Sequence, residues 1–324
     1  MPDHARHQIA LLDYVAARRA EIDAALDGWL PRPPACPPEV AEAMRYAVGA
    51  GGKRFRPLLT LAVSDAVAFA SGADEAGAAA RRRHALPAAC AVEFVHTQSL
   101  VHDDLPAMDD DVLRRGQPTV HVRYGEGLAI LVGDGLLAEA FGLLAREPGG
   151  DAAPDLVVRK LRVIAALGEA VGAAGMVGGQ AIDLALTGHG RGPAAAALDL
   201  CALKDMHARK TGGLIRAAAL AGAIMGGASA AQEAGIARFA DRVGLAFQIV
   251  DDVLDVEGCS ERLGKTAGKD ARAGKVTFAA LLGCARARAM AHDAVSEALD
   301  ALEAAGVASP ELAGLAAGVL TRLA

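Results

Sequence analysis

Ala89-Cys90-Ala91-Val92-Glu93-Phe94-Val95-His96-Thr97-Gln98-Ser99-Leu100-Val101-His102-Asp103-Asp104-Leu105-Pro106-Ala107-Met108-Asp109-Asp110-Asp111 is the stretch whose reading decides the fold. Its first half continues a helical pattern that starts near Leu86-Pro87 and runs through Val92, Phe94, Val95 and Leu100. Its second half places five carboxylates within nine residues, and Arg114-Arg115-Gly116 follows closely. Like charges at that density repel, so a folded chain keeps them together only with something cationic among them. The pattern recurs downstream, where apolar Val243 to Val250 leads into Asp251-Asp252-Val253-Leu254-Asp255.

Composition points the same way as this helix-then-carboxylate pattern. The 324 residues are 53% hydrophobic, mostly Ala, Leu and Val, and only 3% aromatic. Alanine and leucine favour helix, and β-branched and aromatic residues are too few for an extensive sheet. The fold is therefore predicted to be all-α. A net charge of −6 with scattered cations argues against a nucleic-acid partner. An anionic substrate would have to be held by a local cationic site or by metal.

Five widely spaced cysteines (Cys36, Cys90, Cys201, Cys259, Cys284) contain no CxxC pair, which suggests reduced thiols in a cytoplasmic protein. The N-terminal residues lack the apolar core of a signal peptide. The uncharged run from Ala217 to Ala231 is short of a membrane span and is loosened by Gly222, Gly226 and Gly227. A soluble protein without a membrane span is expected.

Taken in order, Gln8 to Leu30 carries a helical stripe, and the proline-rich segment Pro31 to Pro38 is a connector, with Pro38 suited to a first helical turn. Glu39 to Val48 is a short helix that ends in Gly49-Ala50-Gly51-Gly52. Lys53-Arg54-Phe55-Arg56-Pro57 then opens an apolar helix from Leu58 to about Ala70. Glycines that let backbone N–H groups approach, a helix N-terminus and three cations are good anion-binding chemistry. Ser71 to Arg83 reads as a loop with a short helical piece.

Gly127 to Arg146 reads as a long helix, and Asp155 to Leu186 as mostly helical with a weak spot at Gly172 to Gly179. Thr187 to Pro193 is a loop, Ala194 to Ala208 a helix, and Lys210-Thr211-Gly212-Gly213 a kink. Ala231 to Val256 carries the second carboxylate cluster, Gly258 to Gly274 is a charged glycine-rich loop, and Val276 to Ala324 is alanine-rich amphipathic helix. No short repeat and no domain boundary is evident, so residues 1–324 are expected to form one domain of about ten or more helices.

On a helix, Asp251 and Asp255 share a face, with Asp252 at its shoulder. Asp103 and Asp109 are six apart and would diverge on a regular helix. Pro106 removes a helical hydrogen bond, so the chain can loop and turn Asp109 back toward Asp103. Carboxylates without nearby Cys or His make a hard-oxygen site suited to Mg²⁺, which keeps water and accepts phosphate oxygens. The two clusters are expected to face each other across one cavity with Mg²⁺ between them.

These residues resemble a known family. Asp103-Asp104 with Asp109 and Arg114-Arg115-Gly116 is similar to the first aspartate-rich motif of the (E)-polyprenyl diphosphate synthases, and Asp251-Asp252-x-x-Asp255 to their second. Gly52-Lys53-Arg54-Phe55-Arg56-Pro57, Lys210-Thr211-Gly212 and Phe247-Gln248-Ile249-Val250-Asp251-Asp252 match the other signatures in order. The resemblance runs from about Met44 to Lys275. Four residues between Asp104 and Asp109 are similar to the bacterial short-chain type, the farnesyl and geranylgeranyl diphosphate synthases.

The resemblance implies the isoprenoid synthase fold, a single large helical bundle around a central cavity. It implies a 1'-4 condensation of isopentenyl diphosphate with allylic diphosphates (dimethylallyl, geranyl). About three Mg²⁺ ions would bind Asp103, Asp104, Asp109, Asp251, Asp252 and Asp255, with Asp103, Asp104, Asp109, Asp251, Asp252 and Lys210 the catalytic set. Arg114, Lys210, Thr211, Gln248 and Lys265 resemble the allylic-diphosphate contacts, and Lys53, Arg56, His96 and Arg115 the isopentenyl diphosphate contacts. Cys259 stands where the family commonly has Asp. The family is usually a homodimer.

Product length is set in such enzymes by residues four and five before the first Asp, here Ser99 and Gln98. Farnesyl synthases of this type place an aromatic at the Gln98 position, and geranylgeranyl synthases something smaller. The wording of the first motif leans toward farnesyl diphosphate, with geranylgeranyl diphosphate the alternative. A terpene cyclase of the same fold would not need Lys53 and Arg56, and a non-catalytic subunit would be expected to have lost one of the two Asp clusters.

Overall fold

The computed structural model describes residues 3–149, 153–186, 199–257 and 276–321. They are helical apart from connectors and one two-residue ladder. The chain divides into two compact units, Met1–Ala166 with Leu220–Ala228, and Leu167–Ala219 with Ser229–Ala324. The expected loops at 187–193 and 258–274, with Cys259 and Lys265, lie outside the described residues.

The first unit begins with α1 (Asp3–Trp29), α2 (Pro38–Gly49) and α3 (Phe55–Ala70). Pro38 occupies the first turn of α2, where its missing N–H costs nothing. α3 is buried almost continuously from Pro57 to Ala68, so it forms the middle of this unit. α4 (Glu75–Asp103) packs on α3 and on α6 (Glu126–Arg146). Phe94 is fully enclosed there, and a side chain of that size stabilises by about 1.5–3 kcal/mol on leaving water.

α4 starts well before Leu86-Pro87: of the segment read above as a loop with a short helical piece, the part from Glu75 onward forms its first turns. Asp74 caps it by accepting from the Gly77 N–H at 2.8 Å. Pro87 is tolerated inside the helix and buried. Polar composition masked this start, because Arg81 and Arg82 find partners. Arg82 donates to Asp65 at 2.8 Å and Arg81 to the Gly226 carbonyl at 2.9 Å.

Between α4 and α6, β1 (Leu113–Arg114) pairs antiparallel with β2 (Gln117–Pro118), followed by α5 (Val120–Tyr124). Arg115 (φ 53°) and Gly116 (φ 77°) form the two-residue turn, the sign of φ that a tight hairpin requires. α6 is long and apolar enough to cross a membrane by length and composition, as is the span Pro154–Leu186. Packing accounts for part of the first, and a chain break divides the second. α6 buries Ala129, Val132, Leu136, Ala140, Leu143 and Leu144 in this unit. The span 154–186 is two helices, α7 (Pro154–Val171) and α8 (Met176–Leu186), broken at the glycines read above as a weak spot.

The second unit contains α8, α9 (Leu200–His207) and α11 (Ala230–Val256), the last packed against α13 (Cys284–Ala304). α10 (Gly213–Gly226) follows a π-turn over Ala208–Gly212, an irregularity at the residues where a kink is expected. Ser229 and Gln232 form a reciprocal capping box at the start of α11. The C-terminal stretch, read as amphipathic helix, is three helices: α12 (Phe278–Leu282), α13 and α14 (Pro310–Leu320). Gly283 (φ 76°) and Gly306 (φ 65°) adopt conformations a helix cannot continue through, which separates them.

Candidate active site

In the first unit α4 ends at Asp103 and the chain reverses. The Asp109 N–H donates to the Asp103 carbonyl at 2.8 Å, and the Asp111 N–H to the Asp104 carbonyl at 3.1 Å. Pro106 sits in the reversal, and the backbone of Asp109 is carried back to that of Asp103, as the proline was expected to allow. Asp110, with φ 49°, completes the loop.

Asp104 has a different position from its neighbours. It is buried, and Arg114 holds both its oxygens: Nε donates at 2.8 Å to each, and Nη2 to Oδ1 at 2.5 Å. Burial pushes the Asp104 carboxyl above the usual range, against the opposing pull of Arg114. Burial works against the Arg114 charge, but Asp104, with Asp103 and Asp109 behind it, outweighs burial and raises its pKa. The two are thus locked as a bidentate pair.

The cationic loop lies in the same unit. Arg56 Nη1 reaches His96 Nε2 at 3.3 Å, so His96 accepts there and is neutral. Burial, then the Arg56, Arg115, Arg114 and Arg54 guanidinia, hold His96 well below the usual histidine range. Arg115 donates to the Gly51 carbonyl, which ties the hairpin turn to the glycine loop. Lys53 is exposed. Arg54, Asp110 and Arg115 are the non-glycine residues with positive φ among the described residues, and all three lie in these loops. Backbone strain concentrated in one place is a mark of a functional site.

A stability prediction arises here. The unfolded chain protonates His96 near pH 6.5, whereas the folded chain resists until lower pH. Folding stability from this group is therefore lost as pH falls below about 6.5, by up to about 1.4 kcal/mol per pH unit. His84, lowered by burial and by Arg83 and Arg159, acts in the same direction. Urea midpoints at pH 7 and pH 5 should differ less in His96→Gln than in the parent. Equal differences would show that His96 does not carry this effect.

In the second unit Lys210 and Thr211 stand on the π-turn. Lys210 Nζ donates to Asp183 Oδ2 at 2.5 Å, and Asp183 is buried on α8. α8 can approach this closely because residue 179 is glycine: a Cβ there would lie 2.4 Å from Lys210 N. Thr211 Oγ1 donates to Gln248 Oε1 at 3.3 Å, and Gln248 Nε2 to Asp252 Oδ1 at 2.8 Å. The other oxygen of Asp252 accepts from the Phe278 N–H at 2.8 Å, at the first residue of α12. Asp251 and Asp255 lie one turn apart on the continuous helix α11, the latter buried.

The structure therefore sorts the expected carboxylates. Asp104 and Asp252, expected among the metal ligands, have both oxygens engaged by protein donors. Among the described residues no three His, Cys, Asp or Glu side chains converge as a ready cage. Mg²⁺ needs none: it is commonly held by one or two carboxylates, with phosphate oxygens and water completing six ligands. The donor set, carboxylate oxygens beside guanidinia, fits that chemistry.

Two partners were not singled out from sequence, Asp183 for Lys210 and Glu93 for Arg54. Each is an acidic residue inside an apolar helix, and that contrast could have found them, since buried carboxylates need a partner. Gln98 and Ser99 are accounted for locally. Gln98 Nε2 lies 3.1 Å from His102 Nδ1, His102 Nε2 lies 3.2 Å from the Ile130 carbonyl, and Ser99 donates to the His96 carbonyl at 2.9 Å.

Comparison with known proteins agrees with these motifs. The polyprenyl synthetase family matches residues 37–308. A dimethylallyltranstransferase of Fischerella ambigua is 42% identical over 312 residues, 96% of this chain and 84% of that protein. The chloroplastic geranylgeranyl pyrophosphate synthase 3 of Arabidopsis thaliana is 44% identical over 289 residues, 89% of this chain and 75% of that one. Among solved structures, an apo FPP/GFPP synthase from Zymomonas mobilis superposes with a TM-score of 0.77 at 34% identity, covering 98% of this chain and 99% of its own. A geranyltransferase from Helicobacter pylori, complexed with magnesium and isoprenyl diphosphate, gives 0.79 at 30% identity, covering 97% of each. With both aspartate motifs and the cationic loop intact, the chain belongs to the polyprenyl synthetase family and is a short-chain prenyltransferase.

Proposed function

We propose that this enzyme condenses isopentenyl diphosphate with an allylic diphosphate by a Mg²⁺-dependent 1'-4 reaction. The observation that carries the reading is the loop that returns Asp109 to Asp103, joined through Arg114-Arg115 to the cationic loop of Gly51 to Arg56. Asp103, Asp109, Asp251 and Asp255 would hold Mg²⁺. The bound metal would neutralise the allylic diphosphate and make it a better leaving group.

This chain's residues do the rest. Arg114, Lys210, Thr211 and Gln248 orient the departing diphosphate, and Asp183 and Asp104 hold Lys210 and Arg114 in place. Lys53, Arg56, His96 and Arg115 bind the second diphosphate, so that its C=C bond can attack the allylic cation. A proton is then lost to the departed diphosphate. No protein nucleophile is required. A homodimer, implied by the resemblance, and a cytoplasmic location, suggested by the spacing of the cysteines, belong to the same proposal.

For product length we propose C20 in place of the C15 that the motif wording suggests. Neither Gln98 nor Ser99 offers a ring to close a tunnel, and the plant relative is named a geranylgeranyl synthase. Purified protein with Mg²⁺, dimethylallyl diphosphate and isopentenyl diphosphate should release diphosphate and give a C20 prenyl diphosphate. No product, with geranyl and farnesyl primers also tried, would refute the activity. Gln98→Phe is expected to shorten the main product by at least one C5 unit, read by chromatography after dephosphorylation. An unchanged length would place the floor elsewhere.

A further inference from the structure

Arg54 stands between two cations assigned to substrate, yet its guanidinium is taken up by three protein acceptors. It is 5% exposed and adopts φ 49° immediately before α3. Its Nη1 donates to Glu93 Oε1 at 2.8 Å, its Nε to Asp23 Oδ1 at 2.7 Å, and its Nη2 to the Val48 carbonyl at 2.8 Å. One guanidinium thus joins α1, the end of α2 and α4 at a single point. A lysine could not meet three acceptors in this fork, which explains the residue type.

Glu93 is the deepest of these partners, 2% exposed, and lies three residues before His96 on α4. Residues three apart are neighbours on a helix surface. The same stretch of α4 therefore anchors Arg54 through Glu93 and meets Arg56 through His96. Glu93 also opposes a local excess of positive charge. Burial lowers the Arg115 pKa, Arg54 and Arg114 lower it further, and Glu93 counters them.

We propose that Arg54 and Glu93 are positioning residues for isopentenyl diphosphate: their buried pair fixes the left-handed turn that presents Lys53 and Arg56, without touching substrate. This rests on the reading that Lys53 and Arg56 bind that diphosphate. Misplacing a binding group by about 1 Å can cost on the order of 10²-fold, so loss of the anchor should be felt at one substrate and not the other.

The test uses the whole enzyme and three variants, Glu93→Gln, Arg54→Lys and Lys53→Ala, with thermal midpoints and both KM values measured. Glu93→Gln keeps the shape of the acceptor, and Arg54→Lys keeps the charge. Each is expected to raise KM for isopentenyl diphosphate about 10- to 100-fold while KM for the allylic substrate changes by less than about twofold. A fall in thermal midpoint with both KM values unchanged, or both raised alike, would mean a merely structural pair and overturn the proposal. Lys53→Ala separates the premise from the inference. If it raises KM for isopentenyl diphosphate and Glu93→Gln does not, the substrate reading stands and the positioning role falls. If Lys53→Ala leaves that KM unchanged, the premise fails and the inference falls with it.

Discussion

Asp109→Ala is expected to lower turnover by roughly 10²–10³-fold while leaving the fold intact. The side chain is exposed, and the bond that closes its loop runs from its backbone N–H to the Asp103 carbonyl, so alanine keeps that bond. What alanine removes is one of the carboxylates proposed to neutralise the departing diphosphate. Preorganised charge at such a centre acts on the transition state more than on the bound substrate, so kcat should fall more than KM changes. Diphosphate release at saturating Mg²⁺, with circular dichroism as the fold control, checks this. More than a tenth of parental turnover would remove Asp109 from the metal set.

Asp104→Ala should fail in the other way. Removing one member of a buried pair leaves an uncompensated charge, which typically costs about 3–5 kcal/mol. The low end applies here, because Arg114 keeps 22% exposure and Asp111 stays within 3.7 Å of it. The urea midpoint should fall with the m-value unchanged. Asp104→Asn should be milder, since its amide oxygen still accepts one bond. A midpoint unmoved in both variants would mean that the pair contributes nothing to folding.

These two predictions concern residues five positions apart in one motif, and the contrast between them was not legible in the sequence. What was legible rests on rules local to the chain. Alanine and leucine content specifies helix, and Pro106 explains how Asp109 returns to Asp103. Two glycines in an otherwise helical run mark the irregularity at Lys210, though not that it is a π-turn. The start of α4 was hidden because polar composition reads as loop until the arginines' partners, Asp65 and the Gly226 carbonyl, are known. The roles of Asp104 and Asp252 were hidden for a related reason. A carboxylate that binds a ligand and one that grips an arginine or a backbone N–H look alike until the partner is seen. Arg54 is the cationic case: Lys53, Arg54 and Arg56 read as three anion-binding groups, and one of them is an anchor.

The π-turn at Ala208–Gly212 bears on how this site could be altered by mutation. A π-turn carries one residue more than the helix around it, and here that extra residue is accommodated by the absent Cβ of Gly179. Deleting a residue from the turn would let it close up as regular α-helix, with the helices on either side still in register but Lys210 and Thr211 displaced within it. Adding a side chain at Gly179 with the turn intact would drive into the Lys210 backbone. Gly179 and the turn are therefore coupled: a side chain at residue 179 is expected to disturb Lys210 and its bond to Asp183 for as long as the turn keeps its extra residue.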